Sequence, residues 1–527
     1  MSVGPSHLSR RELLRRTALS GGGLAALSLL GSRLGAAPAF ASPAQQSSGG
    51  TLIAASATEI HFDPYFADVP TLFVLDQVFG SLVDYRGIDP YSLRPQLADS
   101  WQETASTLTI KLRSGVTFHN GQELTSQDVL ANIARAKDAS IGHALSDTFN
   151  ASLASAQALD QYTFKLTYNQ TYPTKLEDLV NLRFILPESM PDVATQPVGS
   201  GPFRFVNYNP GDSLQLARAD GYWESGKPYL DNLTVNIIPD AQARLANLQA
   251  GAVDVIAGLG YSDVALLQQQ GGTQIASTPP GGSWFVNILN CAHKPFDDQR
   301  VRQAMNYSLN RDAVNQLAYF GLLPVTQSRY APGTFWYSPK AGTFYSFDLQ
   351  KAKSLLQEAG YGNGFETTIA INDRVIGGSK AMAQVWAADL SKIGVKLNIV
   401  ERDDSAFFSE YRAGNYDIQA YGLGNGFVDP APDIDLDSGT RLVDNKAHIE
   451  TQPFFAEYKR LHDQGLATAD TVVRKPIYDR LQEITSEQSW LVMLGFWQQF
   501  WALSPRVQGF KPTFNGIGYF GDVWLAS

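Results

Sequence analysis

The sequence predicts an α/β protein with more than one lobe, and two observations support this. Segments with the two-residue apolar period of strands recur along the chain and are interleaved with segments of helical period. The chain has 527 residues, which is more than a single hydrophobic core usually accommodates. No internal sequence repeat is visible.

The first half of the chain predicts several strands and two helices. Residues Phe73 to Phe79 have the apolar spacing of a helix, and Asp240 is the expected N-cap of a helix that stops at Gly251. Asn120-Gly121 predicts a tight turn, because both residues tolerate positive φ. Strands are predicted at 51–55, 108–112, 162–166, 214–216 and 233–237.

A second set of elements begins near Ser283. Strands are predicted at 284–289 and 395–399. Asp297 or Asp298 is expected to cap one helix, and Asp348 is expected to cap another. The apolar residues of three predicted helices fall on single faces: Val301, Ala304, Met305 and Leu309; Leu349, Ala352, Leu355 and Leu356; Met382, Val385, Trp386 and Leu390.

The N-terminal segment predicts export. Arg10 and Arg11 precede a short, weakly apolar stretch at 18–30, and an A-x-A sequence follows at 39–41. The paired arginines resemble a twin-arginine signal, and an ordinary Sec signal is the alternative. Residues 1–41 are therefore expected to be a signal peptide.

The exported chain is expected to begin near Ser42, with 42–50 as a flexible tail. No cysteine lies near this point, so a lipid anchor is not expected. Removal of five arginines and one glutamate with the signal leaves 36 basic and 50 acidic residues, a net charge of −14. This balance argues against nucleic acid or an anionic membrane as a partner. The expected location is periplasmic.

The sequence predicts neither a metal centre, nor a cofactor, nor a catalytic group. It contains no G-x-S-x-G or H-E-x-x-H motif, and its histidines and single cysteine lack metal spacing. Cys291 is interpreted as a small buried hydrophobe, with a reactive thiol as the alternative. Three alternating aspartates favour a solvated loop or helix start over a calcium site; they are Asp433, Asp435 and Asp437.

Short motifs follow one another in a characteristic order through the exported chain. They include Leu97-Ala98-x-Ser-Trp101, Leu108-x-Ile-x-Leu-Arg113, Val116-x-Phe-His-x-Gly121, Gly199-Ser-Gly-Pro-Phe203, Leu248-x-x-Gly-x-x-Asp254, Pro295-Phe-x-Asp-x-Arg-Val-Arg302 and Lys351-Ala-Lys-x-Leu-Leu356. This order resembles the family 5 extracellular solute-binding proteins, which are the peptide-, nickel- and oligosaccharide-type receptors of ABC importers.

The resemblance implies a two-lobed fold of the periplasmic-binding-protein type, in the large class with an inserted subdomain. A ligand cleft lies between the lobes of such proteins. Lobe I is expected at 51–80, 196–276 and 499–527, with the inserted subdomain at 81–195 and lobe II at 277–498. The implied partners are a small-molecule or peptide ligand and an ABC permease with separate ATPase subunits, and the receptor is expected to be a monomer.

A peptide or modified peptide is the favoured ligand, because that is the commonest assignment in the resembling family. Members that grip a peptide amine place an aspartate four residues before the proline that matches Pro430, and here Gly426 occupies that position. This difference keeps oligosaccharides, opine-like conjugates and other amine-free solutes open. An exported hydrolase and a chaperone-like or chemosensory binder are the alternatives from other classes.

The candidate ligand-binding residues come from four parts of the chain, and the first of these is the predicted strand at 284–289. Glycines in the segment 421–430 would let backbone approach a ligand, and Pro430 argues against a phosphate loop there. A C-terminal aromatic group consists of Trp490, Phe496, Trp497, Phe500 and Trp501. Of these residues, only Trp497 is expected to face the cleft. Arg374 would pair with a ligand carboxylate or form a surface ion pair. The full set is Trp284, Phe285, Asn287, Arg374, Asn425, Gly426, Phe427, Asp429 and Trp497.

Overall fold

The computed structural model describes residues 47–65, 72–143, 145–424, 427–434 and 446–526. The predicted signal peptide, the candidate residues Asn425 and Gly426, and two of the alternating aspartates lie outside the described residues. Within the described ranges, no helix is both long enough and apolar enough to cross a membrane.

The strands and helices are numbered along the chain. The strands are β1 Thr51–Ser56, β2 Val83–Asp84, β3 Arg94–Pro95, β4 Ala98–Glu103, β5 Thr107–Leu112, β6 Leu153–Ala158, β7 Thr163–Tyr168, β8 Phe203–Asn209, β9 Ser213–Arg218, β10 Asn232–Ile237, β11 Val255–Ala257, β12 Gln274–Ser277, β13 Ser283–Leu289, β14 Phe365–Ile371, β15 Val395–Glu401, β16 Ile418–Gly424, β17 Leu491–Phe496, β18 Phe500–Leu503, β19 Val507–Gln508 and β20 Trp524–Leu525. The helices are α1 Leu72–Val78, α2 Ser126–Lys137, α3 Ser146–Ser152, α4 Ala241–Gln249, α5 Tyr261–Gln270, α6 Gln299–Tyr307, α7 Arg311–Ala318, α8 Pro339–Gly342, α9 Leu349–Glu358, α10 Ser379–Ser391, α11 Asp404–Ala413, α12 Phe455–Leu466 and α13 Thr471–Gln488.

A mixed seven-stranded sheet forms the centre of the first lobe, which we call lobe I. Its strands lie in the order β12-β18-β11-β1-β10-β9-β8, with β1 parallel to β10 and β11. A four-stranded antiparallel sheet, β4-β5-β7-β6, packs into the same hydrophobic core. In β5 the buried residues Leu108, Ile110 and Leu112 alternate with polar ones, as the sequence predicts for a half-buried strand.

A five-stranded sheet, β15-β14-β16-β13-β17, forms the centre of the second lobe, lobe II. Its strand β13 is buried on both faces. Trp284, Val286 and Ile288 enter one hydrophobic cluster, and Phe285 and Leu289 enter the other. A central strand covered on both sides has a continuous apolar sequence instead of an alternating one.

The structure confirms that aspartates cap the predicted helices, and it decides which of two neighbouring aspartates caps α6. The Asp240 carboxylate accepts a hydrogen bond from the Ala243 N–H at 2.7 Å. Asp298, not Asp297, caps α6 by accepting from the Arg300 N–H at 2.8 Å. The Asp348 carboxylate caps α9 in the same way. These carboxylates satisfy backbone donors that a helix leaves unpaired in its first turn.

Cys291 is buried, and burial raises the pKa of its thiol to about 11. A thiol with this pKa carries almost no thiolate at neutral pH and is therefore a poor nucleophile. The interpretation of Cys291 as a small buried hydrophobe is confirmed.

We expect Asp240→Ala to lower the free energy of unfolding by about 1 kcal/mol, because the first turn of α4 loses its cap. Denaturant unfolding of the purified variant measures this change. Asp220→Ala, at an exposed turn position, is the control and should change the stability by less than about 0.5 kcal/mol. An equal effect of the two substitutions would contradict the capping role.

Candidate functional site

Among the described strands, the chain passes between the two large sheets twice. Residues 278–282 lead from β12 to β13, and residues 497–499 lead from β17 back to β18. The two crossings are hydrogen bonded to each other. The Thr278 N–H donates to the Gln499 carbonyl at 3.0 Å, and the Gln499 N–H donates to the Thr278 hydroxyl at 3.1 Å. Two short, adjacent connections between separate cores have the geometry of a hinge.

Two of the predicted site residues meet beside the hinge in an aromatic cluster. The rings of Phe285 and Trp497 are stacked with centroids 6.2 Å apart, and Phe285 also stacks on Tyr319 at 5.4 Å. Tyr261 joins the cluster edge-to-face with Tyr319, and its hydroxyl accepts a hydrogen bond from the Gln498 N–H. Trp497 is half-buried. The other aromatic residues of the C-terminal group are buried, and they are Trp490, Phe496, Phe500 and Trp501. Trp497 thus keeps a surface beside the hinge that the others lack.

Trp284 and Asn287 lie inside lobe II. Trp284 is buried, with the Arg329 guanidinium 5.4 Å from its ring centre. The Asn287 amide nitrogen lies 3.6 Å from the Met382 sulfur, and its buried oxygen has no hydrogen-bond partner among the described residues. A small cavity, about large enough for one water molecule, adjoins this side chain. Both residues of β13 therefore pack inside lobe II and present almost no surface to solvent.

Arg374, unlike the buried candidates, lies on the surface of the protein. Its guanidinium pairs with the Asp404 carboxylate, and 74% of the side chain is exposed. The structure thus places Arg374 in a surface ion pair, which is one of the two alternatives that the sequence leaves open.

The loop that follows β16 carries two further predicted residues. Phe427 is buried, and the Asp429 carboxylate forms a two-pronged ion pair with Arg474 on α13, at 2.5 and 2.7 Å. Asp429 also accepts a hydrogen bond from the Ala431 N–H at 2.9 Å. A bidentate pair of this kind fixes both groups in one orientation. Asp429 therefore anchors the loop to α13 of lobe II.

The same loop touches lobe I, through a residue that sequence reasoning missed. The Glu177 carboxylate accepts hydrogen bonds from the Val428 N–H at 3.2 Å and from the Asp429 N–H at 3.1 Å. The Tyr85 hydroxyl donates to the same carboxylate at 3.0 Å. The Val428 side chain packs against the hydrophobic cores of both lobes. Glu177 lies in a short 3₁₀ turn, Glu177–Asn181, and no motif or period in the sequence marks it.

The cross-lobe contact is electrostatically unusual. Burial and, after it, the nearby Asp429 carboxylate raise the pKa of the Glu177 carboxyl to about 8. The hydrogen bonds from Tyr85 and from the backbone act in the opposite direction. A carboxyl group with this pKa is largely protonated at neutral pH.

Within the residues that the structure describes, no group of three or more His, Cys, Asp or Glu side chains is placed to hold a metal ion. Of the aromatic rings beside the hinge, only that of Trp497 is partly exposed, and the other members of the cluster are buried. The N–H groups of Val428 and Asp429, in the loop after β16, are taken by Glu177. The exposed part of Trp497 can stack against an apolar or ring-shaped part of a solute.

These features define a class of protein: two α/β lobes joined by a hinge, with a loop of one lobe contacting the other across the gap. A comparison with protein families identifies the class more closely. The model of the bacterial extracellular solute-binding proteins, family 5 (middle), matches residues 92–441. The chain therefore belongs to the family 5 extracellular solute-binding proteins, and it is a solute receptor of an ABC importer that acts in the periplasm or outside the cell.

Individual relatives match most of the chain in sequence, and a solved structure matches it in fold. The chain is 28% identical over 480 residues to heme-binding protein A of Haemophilus influenzae, which covers 85% of this chain and 86% of the relative. It is 28% identical over 383 residues to the glutathione-binding protein GsiB of Escherichia coli K12, which covers 70% of this chain and 73% of the relative. The structure of the ABC transporter-associated periplasmic binding protein DppA of Helicobacter pylori with the peptide STSA superposes with a TM-score of 0.73 at 24% identity, over 92% of this chain and 99% of DppA.

Proposed function

We propose that this receptor captures a peptide or modified peptide between its lobes and delivers it to the permease in a closed form. The observation that carries the proposal is the pair of hydrogen-bonded crossings between two separately packed lobes. A ligand that contacts both lobes stabilises the closed arrangement by its differential contacts, and this shifts the population toward closure.

The proposed division follows the sheets. Lobe I comprises 51–80, 196–276 and 499–527, the inserted subdomain comprises 81–195, and lobe II comprises 277–498. The four-stranded sheet, which spans Ala98 to Tyr168, lies within the proposed subdomain. The short 3₁₀ turn with Glu177 also lies there, so the subdomain supplies the contact with the loop of lobe II.

The proposed ligand class is based on the residues of the site and on what one relative is named for binding. Glutathione, which GsiB is named for binding, is a modified peptide. In this chain Gly426 replaces the carboxylate that would hold a free peptide amine, so recognition is proposed to depend on backbone hydrogen bonds and on stacking against Trp497, which the buried Phe285 supports from within lobe II. Oligosaccharides and opine-like conjugates use the same kinds of contact and remain the alternative ligands.

The N-terminal segment is proposed to determine how the protein leaves the cytoplasm. Residues 1–41 are proposed to direct the chain through the twin-arginine route, and the exported receptor is proposed to be a monomer without a lipid anchor. It binds its solute without chemical conversion. Turnover of candidate peptides or sugars by the purified protein would favour a hydrolase instead.

A thermal-shift screen of the ligand-stripped, refolded protein tests the ligand class. A true ligand at one hundred times its dissociation constant should add about 2.7 kcal/mol to the free energy of unfolding. The most informative comparison is between one tripeptide with a free N-terminus and the same tripeptide with an acetylated N-terminus. Glutathione, oligosaccharides, opines and metal chelates are screened beside them.

Because Gly426 supplies no carboxylate, we expect acetylation to weaken binding by less than about tenfold, which is about 1.4 kcal/mol. A larger loss would show that another carboxylate holds the amine. Hits confined to oligosaccharides or opines would replace the peptide proposal, and no hit in any class would remove the support for solute capture.

A further inference from the structure

Glu177 reaches across the gap between the lobes. Leu179 and Val180 of its own turn are buried in the core of lobe I, whereas its hydrogen-bond donors Val428 and Asp429 belong to the loop after β16 of lobe II. Its carboxylate therefore links a turn that is fixed in one lobe to a loop that is fixed in the other.

Both sides of this link are firmly held. On the lobe I side, the Tyr85 hydroxyl orients the carboxyl by donating a hydrogen bond to it. On the lobe II side, Arg474 on α13 grips the Asp429 carboxylate through two hydrogen bonds, and its own side chain is almost fully buried. Movement of the lobes must therefore break or form the Glu177 contacts as a unit.

We propose that Glu177 is a positioning residue that docks the loop after β16 onto lobe I, and that this docking is coupled to uptake of a proton by its carboxyl group. The inference rests on the proposed closure of the lobes and extends it, because it names the group that makes closure responsive to pH.

The charged and titratable groups around this carboxyl come from three elements. Within its own turn, the Asp178 carboxylate is occupied by a hydrogen bond from the Tyr172 hydroxyl at 2.6 Å. The segment after β2 presents Tyr85. The loop of lobe II presents Asp429, whose charge is balanced by Arg474 behind it. Among the described residues, the carboxyl thus faces a tyrosine and another carboxylate and has no cation as a direct partner.

The direction of the pH effect follows from these surroundings. In the docked form, burial and the Asp429 carboxylate raise the pKa of Glu177 to about 8. In an undocked form, surrounded by water, the pKa returns toward its ordinary value of 4.5. Between these values only the docked form holds the proton. Protonation therefore favours docking fully below about pH 4.5, and this contribution decreases as the pH rises and is lost once the pH has passed about 8.

The test measures the distance between the lobes in protein without solute. Cysteines introduced at the exposed positions Ala139 and Lys353 carry spin labels, and pulsed electron resonance gives the distance distribution. From about pH 8.5 to about pH 6.5, the ratio of docked to undocked molecules should rise roughly tenfold or more in the wild type. In Glu177→Gln, which keeps the shape but cannot ionise, the ratio should not change with pH.

Glu188→Gln is the matched control, since it removes an exposed carboxylate from the same subdomain, and it should respond to pH as the wild type does. Tyr85→Phe provides a second variant that retains Glu177 and should keep the pH response. A wild type that does not respond to pH, or a Glu177→Gln variant that responds equally, would overturn the inference. Because no solute is present, this result stands apart from the solute screen that tests the proposed function.

Discussion

We expect Asp429→Ala to lower the free energy of unfolding by about 3–5 kcal/mol, because it leaves the buried Arg474 guanidinium without its counter-charge. In the intact protein, 12% of the Asp429 side chain and 1% of the Arg474 side chain are exposed. The Asp429 pair raises the pKa of Arg474 above its ordinary value although burial acts against it. Denaturant unfolding measures the loss of stability.

A surface pair provides the control for this prediction. Lys380 and Glu401 form an ion pair in which about half of each side chain is exposed. Glu401→Ala should lower the stability by less than about 1 kcal/mol, because water screens exposed pairs and solvates the remaining charge. Equal losses from the buried and the exposed pair would contradict the structural role that we assign to Asp429.

The second large effect is expected at Gly199, in the Gly-Ser-Gly-Pro-Phe motif. The end of α1 lies so close to this glycine that an added Cβ would stand 2.1 Å from the Val78 carbonyl oxygen and 2.7 Å from the Phe79 ring. Backbone atoms of a packed helix cannot yield as the tip of a flexible side chain can. Gly199→Ala should therefore cost about 3 kcal/mol or more of unfolding free energy, the upper part of the range for overpacked cores.

Gly377→Ala is the matched substitution, because Gly377 is exposed, has no neighbouring atom within 4 Å of an added Cβ and has a φ outside the left-handed region. We expect its stability to be unchanged or slightly higher, since alanine restricts the unfolded chain. Thermal and denaturant unfolding of both variants decide the prediction. A Gly199→Ala variant as stable as Gly377→Ala would mean that the end of α1 does not pack closely against Gly199.

The close contact at Gly199 gives a physical reason for one of the motifs that carry the family resemblance. Gly201, two residues later, meets the same helix end, with an added Cβ only 2.5 Å from the Gln77 carbonyl oxygen. The two glycines let the segment that leads into β8 pass close against the C-terminal end of α1. Their part in the fold is therefore steric, which sequence inspection could note as a motif but not explain.

Local features of the fold could be predicted from the sequence because their causes are local. The alternation in β5 and the capping aspartates of α4 and α9 act within a few residues of themselves. Asp297 and Asp298 could not be distinguished, since both precede the same helix and only the backbone geometry selects Asp298 as its cap.

The candidate site was less accessible to sequence reasoning, because its contacts join distant parts of the chain. Arg374 had two possible partners, and only the fold brings Asp404 to it. Glu177 and Asp429 are separated by 251 intervening residues, and the hydrogen bonds between them exist only because the lobes meet. No periodicity or spacing carries that information.

The central claim is that a solute closes the two lobes around the hinge, and the distance between the Ala139→Cys and Lys353→Cys labels at constant pH tests it most directly. Cys291, buried and with a thiol pKa of about 11, should not take up label at neutral pH. A pair within lobe II, Lys353→Cys with Ser391→Cys, reports any change inside that lobe. We predict that a solute from the thermal-shift screen shifts the population toward the shorter distance across the lobes and leaves the distance within lobe II unchanged. A solute that stabilises the protein but leaves both distances unchanged would contradict the account.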